Sequence, residues 1–469
     1  MLSLHQKLAS LLLLTFFISA CSTSSPETNN RKTSGIDDLI TEYQASIPSS
    51  STASSKMPKT REAVARIDIA PPLSVNKSPI TKKGTRAFFG DRENNSIIVV
   101  DVEKMEHIRE ISTGHSMTYT TDKISNGLKA YTVNRGSNAI DVIDTRNMKI
   151  TKTIKLEHTP RSAEAINPTL QLCAVSGMDK GMVSIISAKT DTVVAVVGDR
   201  AITQPVNNHG SHATGHPFWL DAHHFILIDR KKKKIFTYHI QQKGDGSWQT
   251  TLLNGVDTLA SAHQIIPRKK RYFGDNDKFY LTIEGSDTQL PLIMELQLIQ
   301  GIGLVKTREV TIAVEGADPL KTHIHHGDFH PHKPLIYVGS KEGNFFILNY
   351  KTMKIVKTFK AGKGAGHTMM VPQKNLAIII NHNDLFITIV DTKTDTKIKD
   401  LVVSGVYEDL VGVKTIQAHP KYHTSKDGKY FYAFLTEEGA FYKVDLDKLE
   451  LVERLLVGGK PAQGSFIHY

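Results

Sequence analysis

The chain has 469 residues, 40% of them hydrophobic and 22% charged, enough to bury a large core. Its formal charge is +11. The basic residues are scattered and no groove-reading motif or aromatic-basic platform accompanies them, so nucleic acid is not an expected partner.

Met1 to Lys7 is short and carries a single lysine. Leu8 to Ile18 is an apolar run of signal-peptide length, too short to span a membrane as a mature helix. It ends in Ile18-Ser19-Ala20-Cys21, which resembles the lipobox of bacterial lipoproteins. The resemblance implies that residues 1–20 are removed and that Cys21 is lipidated as the first mature residue, anchoring the protein to a membrane. Ser22 rather than Asp in the next position points, by the same resemblance, to the outer membrane facing the periplasm. Cys173 is then the sole remaining thiol, which leaves no intramolecular disulfide, and its apolar neighbours make it a buried strand residue. Residues 21–65 are rich in Ser, Thr, Asn and Pro and read as a disordered tether before a folded domain over 66–469.

From Thr85 onward a unit recurs. Ala87-Phe88-Phe89-Gly90-Asp91 pairs with Ser96-Ile97-Ile98-Val99-Val100-Asp101, and Leu376-Ala377-Ile378-Ile379-Ile380-Asn381 with Phe386-Ile387-Thr388-Ile389-Val390-Asp391. Each pair is followed by an alternating, half-exposed piece such as Lys354 to Phe359. Units of roughly 40–50 residues predict an all-β chain, a single β-propeller. It has eight blades, or seven if the degenerate unit around Phe279 to Leu298 is a distortion of its neighbour. Residues 460–469 lack the hairpin that should follow them and are expected to close the ring as the innermost strand of the first blade.

These units resemble the YVTN-type propellers, and the haem d1 domain of cytochrome cd1 nitrite reductases shares their architecture. The resemblance covers nearly all of the chain after Thr85 and implies fold far more than activity. No Cys-x-x-Cys-His is present, so covalent c-type haem is not expected.

The richest stretch is Thr322-His323-Ile324-His325-His326-Gly327-Asp328-Phe329-His330-Pro331-His332. Histidines also precede or open other predicted inner strands: His115, His158, His209, His212, His216, His263 and His367. Residues at one repeat position converge in space although they are distant in sequence. The predicted metal site comprises His115, His212, His216, His263, His323, His325, His326 and His367, with Asp328 as the carboxylate and Glu164 and Glu284 as weaker candidates. Neutral imidazoles with few carboxylates suit Zn(II) or Cu rather than Mg or Ca. His330, His332 and His419 are assigned to the opposite, solvated face, and Arg230-Lys231-Lys232-Lys233-Lys234 to a solvated edge.

Three readings follow. The first is a lipid-anchored envelope protein that holds Zn or Cu for delivery or storage, with a metal transporter or an apo-metalloprotein as partner. It is similar in outline to periplasmic zinc metallochaperone propellers. The second is a copper-dependent oxidoreductase with a His-ligated channel site. The third is a haem d1-type tetrapyrrole binder, which needs several arginines at the mouth; Arg135 and Arg161 are the visible ones. No catalytic residue is assigned, because carboxylates do not cluster and no nucleophile elbow appears.

Overall fold

The computed structural model describes residues 83–115, 117–124, 127–202, 212–267, 277–404 and 423–469. The predicted signal peptide, Cys21, the whole tether, His209 and His419 lie outside them. No helix among the described residues is long and apolar enough to cross a membrane.

The strands form eight four-stranded antiparallel units, the blades of a β-propeller. Seven blades take their four strands consecutively from the chain. In blade 1 the innermost strand is instead Pro461–His468, which runs antiparallel to Thr85–Asp91 with Ala87 opposite Phe466. The last strand thus closes the ring, and a single parallel bridge from Gln463 to Thr120 joins blade 1 to blade 2. The unit that looked degenerate is a regular blade 5, with strands Ala262–Ile265, Lys278–Ile283, Leu292–Ile299 and Gly303–Thr311. The count is eight.

Period-two alternation builds the core. Phe88 and Phe89 are adjacent and fully buried, yet they point to opposite faces of blade 1. Phe88 packs with Ala130 and Ile143 of blade 2, and Phe89 with Tyr432, Phe434 and Phe441 of blade 8. Eight apolar clusters occur among the described residues, one at each junction between neighbouring blades. Cys173 belongs to the cluster between blades 2 and 3, where its thiol donates to the Ala163 carbonyl at 3.1 Å.

One backbone contact repeats around the ring and sets the register of the channel. The residue just after the second strand donates its amide to the residue just before the inner strand. The pairs, each in a different blade, are Arg92 to Lys460, Arg135 to Met117, Met178 to Thr159, Arg230 to Ala213, Glu284 to Ser261, Lys341 to His323 and His382 to Gly364. Two positions beyond each acceptor the inner strand bulges in blades 2, 3, 5, 6 and 7. The bulged residues are Tyr119–Thr120, Arg161, His263, His325–His326 and Gly366. A bulge re-aims side chains and lets neighbouring residues point the same way.

Candidate metal centre

The bulges bring histidines together on the side of the ring formed by blades 4 to 7. Counting from the acceptor residue, His263 and His325 stand at the second position, and His216, His326 and His367 at the third. Blades 2 and 3 offer Tyr119, Thr120, Arg161 and Ser162 at the same two positions, so among the described residues imidazole at these positions falls in blades 4 to 7.

Nε2 of His263 and Nε2 of His326 face one another at 3.1 Å. The His326 ring stacks on His367 with centroids 3.7 Å apart, and the His263 ring lies 3.8 Å from that of His325. Ligand atoms of His216, His263 and His326 all fall within 4.8 Å of one another, as do those of His325, His326 and His367, and those of His263, Glu284 and His325.

Glu284 organises this arc. Its Oε1 is 2.9 Å from Nδ1 of His263 and 3.3 Å from Nδ1 of His325, while Arg230 Nη2 donates to Oε2 at 2.7 Å. Burial pushes the Glu284 carboxyl up, but Arg230 and the two imidazoles outweigh it and hold the group well below its ordinary value. An ionised Glu284 holds the His325 proton on Nδ1 through a hydrogen bond, whereas Nδ1 of His263 lies beside the carboxylate without hydrogen-bond geometry. Burial also keeps the imidazoles uncharged. His263 and His326 are held well below 6.5, each further depressed by neighbouring imidazoles, and His325 is lowered to about 4.

His216 is tied differently. Its Nδ1 abuts the Glu164 carboxylate, and its Nε2 accepts from Arg161 Nη2 at 3.1 Å. Arg161 is itself buried, donates to the Thr214 carbonyl at 2.8 Å and is lowered to about 9 by burial and by Arg230. Both nitrogens of His216 are thus engaged, by Glu164 and by Arg161. His216 also borders a cavity of about 460 Å³, lined among others by Asp122, Glu164, Phe218, Trp219 and Gln264.

The donor set fits a late transition ion. Two imidazole nitrogens on one tetrahedral zinc, each about 2.0–2.1 Å from the metal, stand about 3.3 Å apart. The 3.1 Å separation between His263 and His326 is close to that value. A carboxylate behind the imidazoles is the usual partner of a metal-bound histidine.

Other expected ligands lie elsewhere. His115 falls two residues before its blade's acceptor and sits 3.6 Å from Asp141, with no ring contact to the cluster. His212 is one residue before its acceptor, and Nδ1 of its ring is buried without a hydrogen bond. His158 occupies the same repeat position as His212 and is fully buried between Thr159 and Ser184. His323 occupies the acceptor position, its Nδ1 3.2 Å from the Glu284 carbonyl, one layer behind the ligands. Asp328 accepts the Phe329 amide at 2.8 Å and joins none of the convergent groups. The carboxylates at the cluster are Glu284 and Glu164.

Two assignments to solvent are corrected. Arg230 does not share the solvated fate of the lysines after it, because it follows the second strand of blade 4 and turns inward to Glu284. His330 is 5% exposed and fully hydrogen-bonded, so it plugs the turn from inside. Both errors came from reading local composition without the register. Aligning the eight units at the end of the second strand would have put Arg135, Arg230, Glu284, Lys341 and His382 in one column.

The sequence matches no protein-family model and no curated protein. Solved structures are similar in fold. Dihydro-haem d1 dehydrogenase NirN, in complex with DHE, superposes with a TM-score of 0.58 at 12% identity over 81% of this chain and 74% of that one. AztD from Citrobacter koseri gives 0.57 at 10% identity, covering 82% and 98%. Sqt1 from Saccharomyces cerevisiae gives 0.56 at 12% identity, covering 80% and 88%. At such identities the likeness establishes architecture alone: the chain is a β-propeller.

Proposed function

We propose that this protein binds a late first-row transition ion, Zn(II) or Cu, in the arc of blades 4 to 7, as a lipid-anchored envelope protein for metal delivery or storage. The observation that carries the reading is the facing pair of Nε2 atoms on His263 and His326 beside Glu284. His325 and His367 complete the coordination, and His216 enters when Arg161 releases it. The ion supplies Lewis acidity if a coordination position stays open. The chain's own part is to keep the imidazoles neutral and aimed. The anchor rests on the lipobox at Cys21, and a membrane transporter or apo-metalloprotein is the fitting partner for release.

A second reading is favoured by the cavity beside His216. A mostly apolar space next to a metal is where a substrate of an oxidoreductase would sit. A tetrapyrrole reading gains from Arg135 and Arg161, which are both buried, and from a fold neighbour that is a dihydro-haem d1 dehydrogenase.

Elemental analysis and an optical spectrum of untagged protein separate these. Stoichiometric zinc with no visible band supports storage or delivery, copper bands support the oxidoreductase, and a tetrapyrrole spectrum supports the third. The paired replacement H326A/H367A should abolish zinc binding and leave the circular dichroism spectrum unchanged. Wild-type protein that takes up neither Zn nor Cu at micromolar concentration would sink the metal proposals.

A further inference from the structure

The cavity beside His216 has a polar enclosed end, an aromatic wall and an open rim. Counted from the acceptor residue of each blade, His216 and Gln264 stand at the third position, Asp122 and Glu164 at the fifth, and Lys123 and Trp219 at the sixth. At about 3.3 Å per residue, the cavity runs from the level of the imidazole cluster toward the other end of the inner strands. Lys123 and Pro267 are the exposed residues of its lining and mark the rim. Asp122 and Gln264, 1% and 8% exposed, belong to the enclosed part.

The wall is aromatic and braced. Trp219 Nε1 donates to the Ala165 carbonyl at 3.0 Å, its ring centre lies 5.2 Å from that of Phe225, and Phe218 meets Phe279 edge to face. Indole has no second donor, so Trp219 offers the cavity only its ring surface. Such a surface takes an apolar body or the approach of a cation.

The enclosed end is made of acceptors. Glu164 meets Nδ1 of His216 through one oxygen and accepts from Gln463 Nε2 at 3.4 Å through the other. Both carboxylates act on His216: burial and Arg161 hold its imidazole below the ordinary value against the pull of Glu164 and Asp122. Gln264 lines the same space, is nine-tenths buried, and its side-chain amide has no hydrogen-bond partner among the described residues. A buried amide in that state calls for a partner that the fold does not supply. The cations nearby do not fill this role. Arg161 is turned to Thr214 and His216 and does not line the cavity, and Lys123 stands at the rim, where solvent screens it.

We propose that this cavity binds a primary amine with an aromatic body, its ammonium held at the end formed by Glu164, Asp122 and Gln264 and its ring against Phe218 and Trp219. Carboxylates only accept hydrogen bonds, and an ammonium brings three donors and no acceptor, so the two are complementary in charge and in hydrogen bonding. A volume of about 460 Å³ falls in the range of pockets for small organic ligands. As a substrate site the cavity rests on the oxidoreductase reading; as a binding site it needs no metal.

The test uses the metal-free full chain carrying W248F, which leaves Trp219 as the single indole reporter. Titration with 2-phenylethylamine should change its fluorescence saturably. Two probes with a similar body, neutral 2-phenylethanol and anionic 3-phenylpropionate, should bind about tenfold more weakly or worse. E164Q should weaken the amine by about the same factor, and Q264L by less. Glu164 also holds His216, so Q264L and the comparison of the three probes decide the matter if E164Q folds poorly. The proposal is overturned if the amine produces no saturable change, or if the alcohol binds as tightly as the amine. A parallel zinc titration separates the two readings. Zinc uptake without amine binding leaves the metal reading standing and defeats this site, whereas amine binding without zinc uptake upholds the site and removes its metal-dependent role.

Discussion

The inner strand of blade 6 carries histidines at both ends, and the two ends use imidazole in opposite ways. At the lower end His330 has every ring nitrogen satisfied. Nε2 donates to the Thr392 carbonyl at 2.9 Å, and Nδ1 accepts the amides of His332 and Lys333, both at 2.9 Å. At the upper end His326 meets another imidazole nitrogen at 3.1 Å, with a third ring stacked on it. Burial is similar, 5% exposed against 9%. Burial therefore does not separate a structural histidine from a candidate ligand; the partners of its nitrogens do.

Reciprocal substitutions give the largest expected contrast. H326A should lower zinc affinity by well over about 100-fold, beyond what loss of an outer-shell partner costs. It should leave the urea midpoint of the metal-free protein nearly unchanged, since it removes no hydrogen bond to the backbone. H330A should leave zinc affinity unchanged and destabilise by about 2–3 kcal/mol, because a buried carbonyl and two amides lose their partner. Equal effects of the two variants on metal and on stability would dissolve the distinction.

A smaller effect belongs to the carboxylate. E284Q keeps the shape but removes the negative charge beside Nδ1 of His263 and His325, so zinc affinity should fall by about 10–100-fold. Calorimetry on the metal-free protein checks it, and an unchanged affinity would mean that Glu284 serves Arg230 rather than the imidazoles.

The smallest and broadest effect is on pH. Burial depresses His158 and His330 below 6.5 in the folded chain, whereas the unfolded chain titrates near that value. Below 6.5 the unfolded state binds more protons, so stability is complete above that pH and declines as pH falls toward the folded values. Each group contributes about 1.4 kcal/mol per pH unit within its window. The denaturation midpoint of metal-free protein should drop between pH 7 and 5, and in H330A the drop should be shallower. A midpoint that rises on acidification would contradict the assignment.

Much of this was legible in the chain and part was not. The hydrophobic pairs bounded by turns revealed the repeat but left seven or eight blades open, and the lone terminal segment announced its pairing by lacking a hairpin. His216, His263, His325, His326 and His367 stood out because inner strands begin beside them. Glu284 and Arg230 were undervalued because one sits in an ordinary polar stretch and the other in a lysine run. His115 and Asp328 stand outside the convergent groups, because a displacement of two or three residues along a strand is invisible without the ladder.

The sequence by itself determined the class, the repeat, the closing strand and the wealth of imidazole near the channel, because alternation and turn residues are local properties. Only the tertiary structure decided which imidazoles meet. A bulge in the inner strand re-aims its side chains, and the packing of successive blades brings His216, His263, His325, His326 and His367 together. Convergence of that kind depends on ring geometry, which no stretch of the chain carries alone.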